Sequence, residues 1–393
     1  MTANGSTTPD GFLGYVRADG SVGVRNYLLI LSVGHLTGPS ARRVARALPL
    51  ARLVMLPYWG GMVGADRELS IRHIEGFCTH PNVGAALLIG SDGPRLQELL
   101  ARVTAAGRLA QALCLDDCEH DALVLSDRAL RMGAGILRDI SRQRRVPVPL
   151  SALFLGVKCG RSDPSSGIAS NPLIGHVADA LVDAGGRVVF GETMEWLGAE
   201  HLLARRAISP EVGASLVGAV RRREELAVLN GVDLVGDNPN PTNVAAGIST
   251  IEEKSLGSVA KSGSRLIDGI VPMGARIDRP GLFAMDGPAY SPESLSGLVA
   301  SGAQIVLFST GVGNSYVSQL APTVKLSANP AAAAVLRQQL DYDASGVLLG
   351  TLEPPQAARA LMEALLEVAS GSLTWGEVLD EGDEVVSRIG EAL

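Results

Sequence analysis

The chain has 393 residues, 46% of them hydrophobic and 4% aromatic, and 41 acidic against 34 basic side chains give a formal net charge of −7. That length exceeds one ordinary core and implies two or three domains able to fold without staples. The acidic balance and six scattered histidines argue against nucleic acid, whose binding needs clustered Lys and Arg, and no apolar run reaches the length of a membrane span.

Residues 1–10 have neither the basic nor the apolar stretch of a signal peptide and read as a disordered tail on a cytoplasmic protein. From 11 to 148 short apolar runs alternate with helical periodicity. Strands are expected at 27–31, 53–56 and 85–89, and helices at 40–48, 66–77 and 94–105. This rhythm is βαβ, hence an α/β fold with a mostly parallel sheet whose ligands sit outside the carboxyl ends of the strands. A charged helix at 123–145 runs into Val146-Pro-Val-Pro149, read as the connector between two domains, 11–148 and 149–393. Cys78, Cys114, Cys118 and Cys159 match no strong metal spacing and read as reduced thiols.

The larger second domain begins with an apolar strand at 153–157 that launches the polar run KCGRSDPSSGIASNP (158–172). A helix at 173–183, a strand at 188–190 and the loop 191–195 follow, then helices to about 229 and the loop 237–243, whose prolines exclude regular structure. Ser249 or Thr250 is placed to cap the next helix. Strands at 281–285 and 304–308 end in the polar loops of Asp286 and of 309–314, and the helices of 355–369 and the acidic tail 380–384 carry little chemical information. The layering is Rossmann-like, without a complete phosphate-binding fingerprint.

Polar residues in such density after buried strands point to a ligand site. Lys158 at a strand end is a candidate base or a solvated lysine, and Cys159 a metal ligand or a small hydrophobe. Asp163 and Asn171 flank prolines, so each is a candidate ligand group or a turn cap. Glu192 and Glu195, three apart, suit a hard divalent cation or acid–base work, or else a helix start. Glu253, beside Glu252 and Lys254, has the same two readings. His201 is a candidate proton carrier or a surface imidazole. Arg25, next to Asn26, could grip a carboxylate through its fork.

GYVRADGSVGVRN (14–26), the run 158–172, GET (191–193), GAEH (198–201), NPTNVAAGISTIEEKSLG (240–257) and Met285-Asp286, in this order, resemble the altronate/galactarate dehydratase family from about residue 11 onward. The resemblance implies a lyase of the hydro-lyase type that removes water from a hydroxy acid or sugar acid to give a 2-keto acid, typically with Fe(II). The family also includes the large subunit of (2R)-sulfolactate sulfo-lyase, a carbon–sulfur lyase that releases sulfite and pyruvate. On this footing Lys158, Glu192, His201 and Glu253 are the catalytic candidates. Arg25, Asn26, Ser162, Asp163, Ser166, Asn171, Asn243, Lys254, Asp286 and Asn314 are the substrate-binding ones, and Cys159 with Glu192 the metal ligands.

Two departures bear on the metal. Where relatives carry His and Cys this chain has PYWGGM (57–62), and where they carry Gly-Cys-Glu it has Gly90-Ser91-Asp92, so a metal here is bound differently or absent. The small SAF-type β domain that precedes residue 14 in altronate and galactarate dehydratases is missing, which implies a separate small subunit, alongside self-association. A catalytically silent carboxylate-binding subunit is the remaining alternative.

Overall fold

The computed structural model describes residues 11–56, 60–234 and 238–387. The expected tail 1–10, Tyr58 and Trp59 of the 57–62 loop, and Asp237 lie outside the described residues. The chain opens with β1 (Gly11–Val16) and β2 (Val22–Gly23), then alternates β3 (Tyr27–Val33), α1 (Gly38–Ala47), β4 (Ala51–Leu56), α2 (Gly64–Cys78), β5 (Val83–Gly90), α3 (Gly93–Ala105), β6 (Ala110–Cys114) and α4 (Ala122–Ile140). Strands β3 to β6 form a parallel sheet in the order β4-β3-β5-β6. Successive side chains leave opposite faces, so Leu29, Leu31 and Val33 join one core with α2 and α3, while Leu28 and Ile30 join another with α1 and α4.

The proline-rich segment expected as a connector is a strand, β7 (Val146–Pro149), antiparallel to β1 with Phe12 opposite Val148. It lies at the edge of the order β2-β1-β7, where proline nitrogens need no partner. The helix before it ends at Ile140 rather than 145.

The second unit contains β8 (Phe154–Cys159), α5 (Asn171–Asp183), β9 (Arg187–Phe190), α6 (Glu200–Arg205), α7 (Pro210–Leu229), α8 (Pro241–Ala245), α9 (Ile251–Ala260), β10 (Ile267–Pro272), β11 (Gly281–Asp286), α10 (Ser291–Ala300), β12 (Ile305–Ser309), β13 (Thr323–Ser327), α11 (Pro330–Val335) and β14 (Tyr342–Asp343). Its seven strands are all parallel, in the order β10-β11-β9-β8-β12-β13-β14. Starting from β8 the chain builds first towards β9 and later, on the other side, towards β12. The strand order therefore reverses at β8, and a crevice is expected beyond its carboxyl end. The 237–243 loop was expected to exclude regular structure, yet Asn240 caps α8 and Pro241 sits in its first turn, where a missing N–H costs nothing. Thr250 caps α9. No helix among the described residues is long and apolar enough to cross a membrane.

The chain closes with α12 (Ser345–Leu348), α13 (Pro354–Ser370) and α14 (Trp375–Val378). These fasten the two units together through Arg25. Its Nε and Nη2 bind both oxygens of Glu377 at 2.7 and 2.8 Å, and the remaining guanidinium hydrogens reach the carbonyls of Val24, Val368 and Ser372. Tyr27 donates to the same carboxylate at 2.8 Å. The pair is buried, at 6% and 8% side-chain exposure. Breaking such a pair leaves one uncompensated interior charge, so Arg25→Met is expected to lower unfolding stability by roughly 3–5 kcal/mol in urea titration; a loss below about 1 kcal/mol would mean that the clamp is not structural.

The acidic tail, too, is more than a surface. Glu384 is buried and accepts hydrogen bonds from the hydroxyls of Ser296 and Ser318 and the amides of Gln319 and Leu320. Burial outweighs these donors and pushes its carboxyl up from 4.5 to about 7. As pH rises through that window the unfolded chain releases this proton while the folded chain keeps it, so stability falls with rising pH. Glu384→Gln is expected to flatten that decline between about pH 5 and about pH 7.5, read from urea midpoints; an unchanged slope would assign the pH dependence to other groups.

Candidate active site

At the carboxyl end of β8 the sequence places Lys158 and Cys159 side by side, and both side chains are buried. The neighbouring β9 ends at Phe190, and the next turn holds Glu192 in the left-handed region at φ 73°, a conformation a non-glycine residue adopts only where its surroundings enforce it. Here the enforcement is ionic. Lys158 pairs with one oxygen of Glu192, and the ammonium of Lys261 lies 2.9 Å from the other. Lys158 also donates to the carbonyls of Cys159 at 2.8 Å and Ala289 at 3.1 Å, so all three of its N–H bonds have acceptors.

Lys261 follows α9, whose buried face carries Lys254 and Ser258 at helical spacing from it. Its ammonium reaches the Cys159 Sγ at 3.3 Å and the Ser258 hydroxyl at 2.5 Å in addition to Glu192. Glu195, on the turn after Glu192, accepts from the Cys159 thiol at 3.3 Å and Ser258 at 3.0 Å through one oxygen, and pairs with Lys254 at 2.9 Å through the other. Lys254 has a second acceptor in the Asn243 Oδ1 at 3.1 Å. With two acceptors among the described residues for three N–H bonds, it has one left to offer a ligand.

The charges set one another. Burial alone would push the Glu195 carboxyl up, but Lys254, Lys261 and Lys158 outweigh it and hold it well below the usual carboxylate range. Burial likewise disfavours charge on Lys254 and Lys261, and the surrounding anionic groups override it, raising both. The Cys159 thiol is pushed up to about 11 by burial and by the two carboxylates, so it stays protonated at neutral pH. Three ammoniums then face two carboxylates and a neutral thiol, leaving one unbalanced positive charge in the cluster.

Two cavities open against this cluster. Cys159, Glu195 and Lys254 line both, one of ≈ 260 Å³ that also meets Ser162, Asp163 and Asn171, the other of ≈ 560 Å³ that meets Asn240 and Asn314. The smaller lies where a π-helical turn at residues 166–170 crosses α9 so closely that a Cβ added at Gly167 would stand 3.1 Å from the Gly257 Cα. That approach lets the Asn171 amide donate to the Gly257 carbonyl at 2.9 Å.

The expected residues thus divide. Lys158, Cys159, Glu192 and Lys254 meet in the cluster, and Asn243 is joined to it by Lys254. Ser162, Asp163, Asn171 and Glu253 line the smaller cavity and Asn314 the larger. Asp163 is a turn anchor, bound to Ser165, Ser166 and Asn329. Ser166 serves that turn. Glu253, exposed, caps the Ser249 amide and hydroxyl. Arg25 does not reach a carboxylate ligand, because its fork is fully occupied by Glu377 and backbone carbonyls, and Asn26 is held between Arg17 and the Ile140 carbonyl. His201 is exposed on α6. Asp286 binds Thr193, Arg222 and Arg223 beside a separate ≈ 490 Å³ cavity that contains none of the cluster. Lys261 and Ser258 were not anticipated, although Lys254, Ser258 and Lys261 fall at i, i+4 and i+7, the signature of one polar stripe.

Cys159, Glu192 and Glu195 each offer a ligand atom within 4.8 Å of the others, a group that could hold a metal ion. Each carboxylate oxygen and the sulfur nevertheless already has a hydrogen-bonding partner, chiefly an ammonium, so a dication does not fit this arrangement unless a lysine leaves.

The sequence matches the family described as D-galactarate dehydratase/altronate hydrolase, second domain, over residues 14–132, and D-galactarate/altronate dehydratase, C-terminal, over residues 150–392. It is 32% identical to the (2R)-sulfolactate sulfo-lyase subunit beta of Chromohalobacter salexigens, across 97% of this chain and 98% of that protein. Identity to the altronate dehydratase of Escherichia coli is 31%, across 96% of this chain and 78% of the relative. For the galactarate dehydratase (L-threo-forming) of the same organism it is 29%, across 92% and 73%.

Proposed function

Since the chain belongs to the D-galactarate/altronate dehydratase family, a family of lyases, we propose that it eliminates a β-substituent from a small 2-hydroxy acid or sugar acid to leave a 2-keto acid, with the chemistry in the unit from residue 149 onward. The observation that carries this reading is the buried lysine–carboxylate–thiol cluster at the carboxyl end of β8, open to two cavities and short of one negative charge. A substrate carboxylate supplies that charge, and Lys254 has the N–H to receive it.

The difficult step is removal of the proton next to a carboxylate, which needs positive charge near the developing enediolate. Lys254 and Lys261, both held as ammoniums, supply it in place of the Fe(II) that the family resemblance implies. Lys158 is better suited to anchoring Glu192 than to acting as a base, because all three of its N–H bonds are occupied. Glu195 is the better base. Its low proton affinity depends foremost, among the opposing charges, on Lys254, so a substrate carboxylate that neutralises Lys254 raises Glu195 towards useful basicity. Proton transfer to Glu195 gives the enediolate, the β-carbon bond breaks with its pair on the leaving group, and the enol becomes the keto acid. A departing hydroxide takes a proton from the Cys159 thiol. In the larger cavity the Asn238 Oδ1, buried and without a partner among the described residues, suits a substrate hydroxyl.

Expulsion of sulfite from sulfolactate is the second reading, favoured by the relative matched over 98% of its length. That this relative is a subunit beta also supports a separate small partner for this chain, with self-association as a further expectation. Sulfite needs no proton to leave, so Cys159→Ser is expected to slow a dehydration far more than a sulfite elimination. The deciding assay offers aldonates, aldarates and sulfolactate to the purified protein, with and without a small partner, and measures 2-keto acid and sulfite. Lys254→Met is expected to lower turnover about 100- to 1,000-fold, while the surface variant His201→Ala leaves it unchanged. Tight carboxylate binding without any product would instead support a silent binding subunit.

A further inference from the structure

We infer that the Lys261 ammonium is the resident cation of the Cys159–Glu192–Glu195 group and keeps divalent metals out, so that loss of this one side chain converts the group into a metal site. The inference goes beyond the lyase reading and does not depend on it, since it concerns which cation the donors hold.

The geometry carries it. Three protein ligands with one thiolate and two carboxylates make a plausible set for a first-row dication, with Zn–S near 2.3 Å and Zn–O near 2.0–2.2 Å as ordinary values. In this protein the Lys261 nitrogen stands 3.3 Å from Sγ and 2.9 Å from the nearer Glu192 oxygen. Those are hydrogen-bond lengths to two of the three atoms a metal would need, so metal and ammonium compete for the same lone pairs. Ser258, at 2.5 Å, fixes the ammonium from a third side and ties it to Glu195 through its own hydroxyl. Lys261 has no solvent-exposed surface, so it cannot swing into water to make room. A dication entering beside it would also meet Lys158 and Lys254 on the outer oxygens. Like charges in a poorly screened interior repel strongly.

The same arrangement accounts for how three cations can be buried around two carboxylates. Lys261 is held by its three acceptors, Glu192, Cys159 and Ser258.

The test uses Co(II), whose binding to a thiolate produces a near-ultraviolet charge-transfer band, titrated into the full chain under reducing conditions and followed in parallel by calorimetry. The parent and the charge-retaining Lys261→Arg are expected to show no band. Lys261→Met and Lys261→Ala are expected to show it, with affinity at least about 100-fold higher than the parent, and Cys159→Ala added to either is expected to abolish it. A thiolate band of equal affinity in the parent would overturn the inference. So would its absence in Lys261→Met or Lys261→Ala when circular dichroism shows these folded. Should both neutral variants fail to fold, the parent titration decides: a thiolate band refutes the inference, and its absence at millimolar Co(II) supports it. Because no readout uses turnover, failure here is separable from failure of the lyase assignment.

Discussion

The ion pair between Lys158 and Glu192, completely buried across the adjacent ends of β8 and β9, is the constraint on which the site rests. Bringing two charges out of water costs several kcal/mol for each, and the cost is offset only where every remaining lone pair and proton finds a partner. That requirement organises the surroundings. The second Glu192 oxygen draws in Lys261, the Lys158 protons collect two backbone carbonyls, and the Cys159 amide points at the same carboxylate at 3.3 Å. The left-handed turn at Glu192 persists because this network over-determines it. Removing any member strands a charge in the interior, so packing and chemistry share the same residues.

Much of the fold is legible from the sequence because parallel strands buried on both faces are written as unbroken apolar runs, and β3, β5 and β8 are of that kind. Strands that break the pattern were lost. β13, TVKLS, carries a lysine that is nevertheless buried and bonded to the Ser315 carbonyl, and β7 contains two prolines that only an edge position tolerates. The site shows the same division. Lys158 and Cys159 close the apolar strand β8 and Glu192 follows β9, where polarity is conspicuous, whereas Lys261 lies just past the end of α9, away from the polar run at its start. Arg25 was misread because an arginine before a buried strand looks the same in sequence whether its fork meets a ligand or a carboxylate 352 residues away.

The cluster also separates two tasks that a bound metal would combine. Lys158 and Lys261 have their protons occupied by the protein and act as fixed charges, while among the described residues Lys254 keeps one hydrogen-bond direction open where two cavities meet. In the proposed reaction fixed charge would need no reorganisation, and the open direction would select for an anion. A site of this kind is tuned by the number of ammoniums about each carboxylate.

The clamp of Arg25 on Glu377 has a consequence for how the molecule is made. Strands β3 to β6 and their helices are contiguous in sequence and can assemble while the ribosome is still at work. The clamp cannot close so early. β1 leans on α13, with Leu13 donating to Ser370 and Arg145 reaching the Ala369 carbonyl, and Arg25 waits for α14. Closure of the clamp therefore waits on residues far along the chain, since Arg25 has no Glu377 carboxylate to meet until 352 further positions have been made.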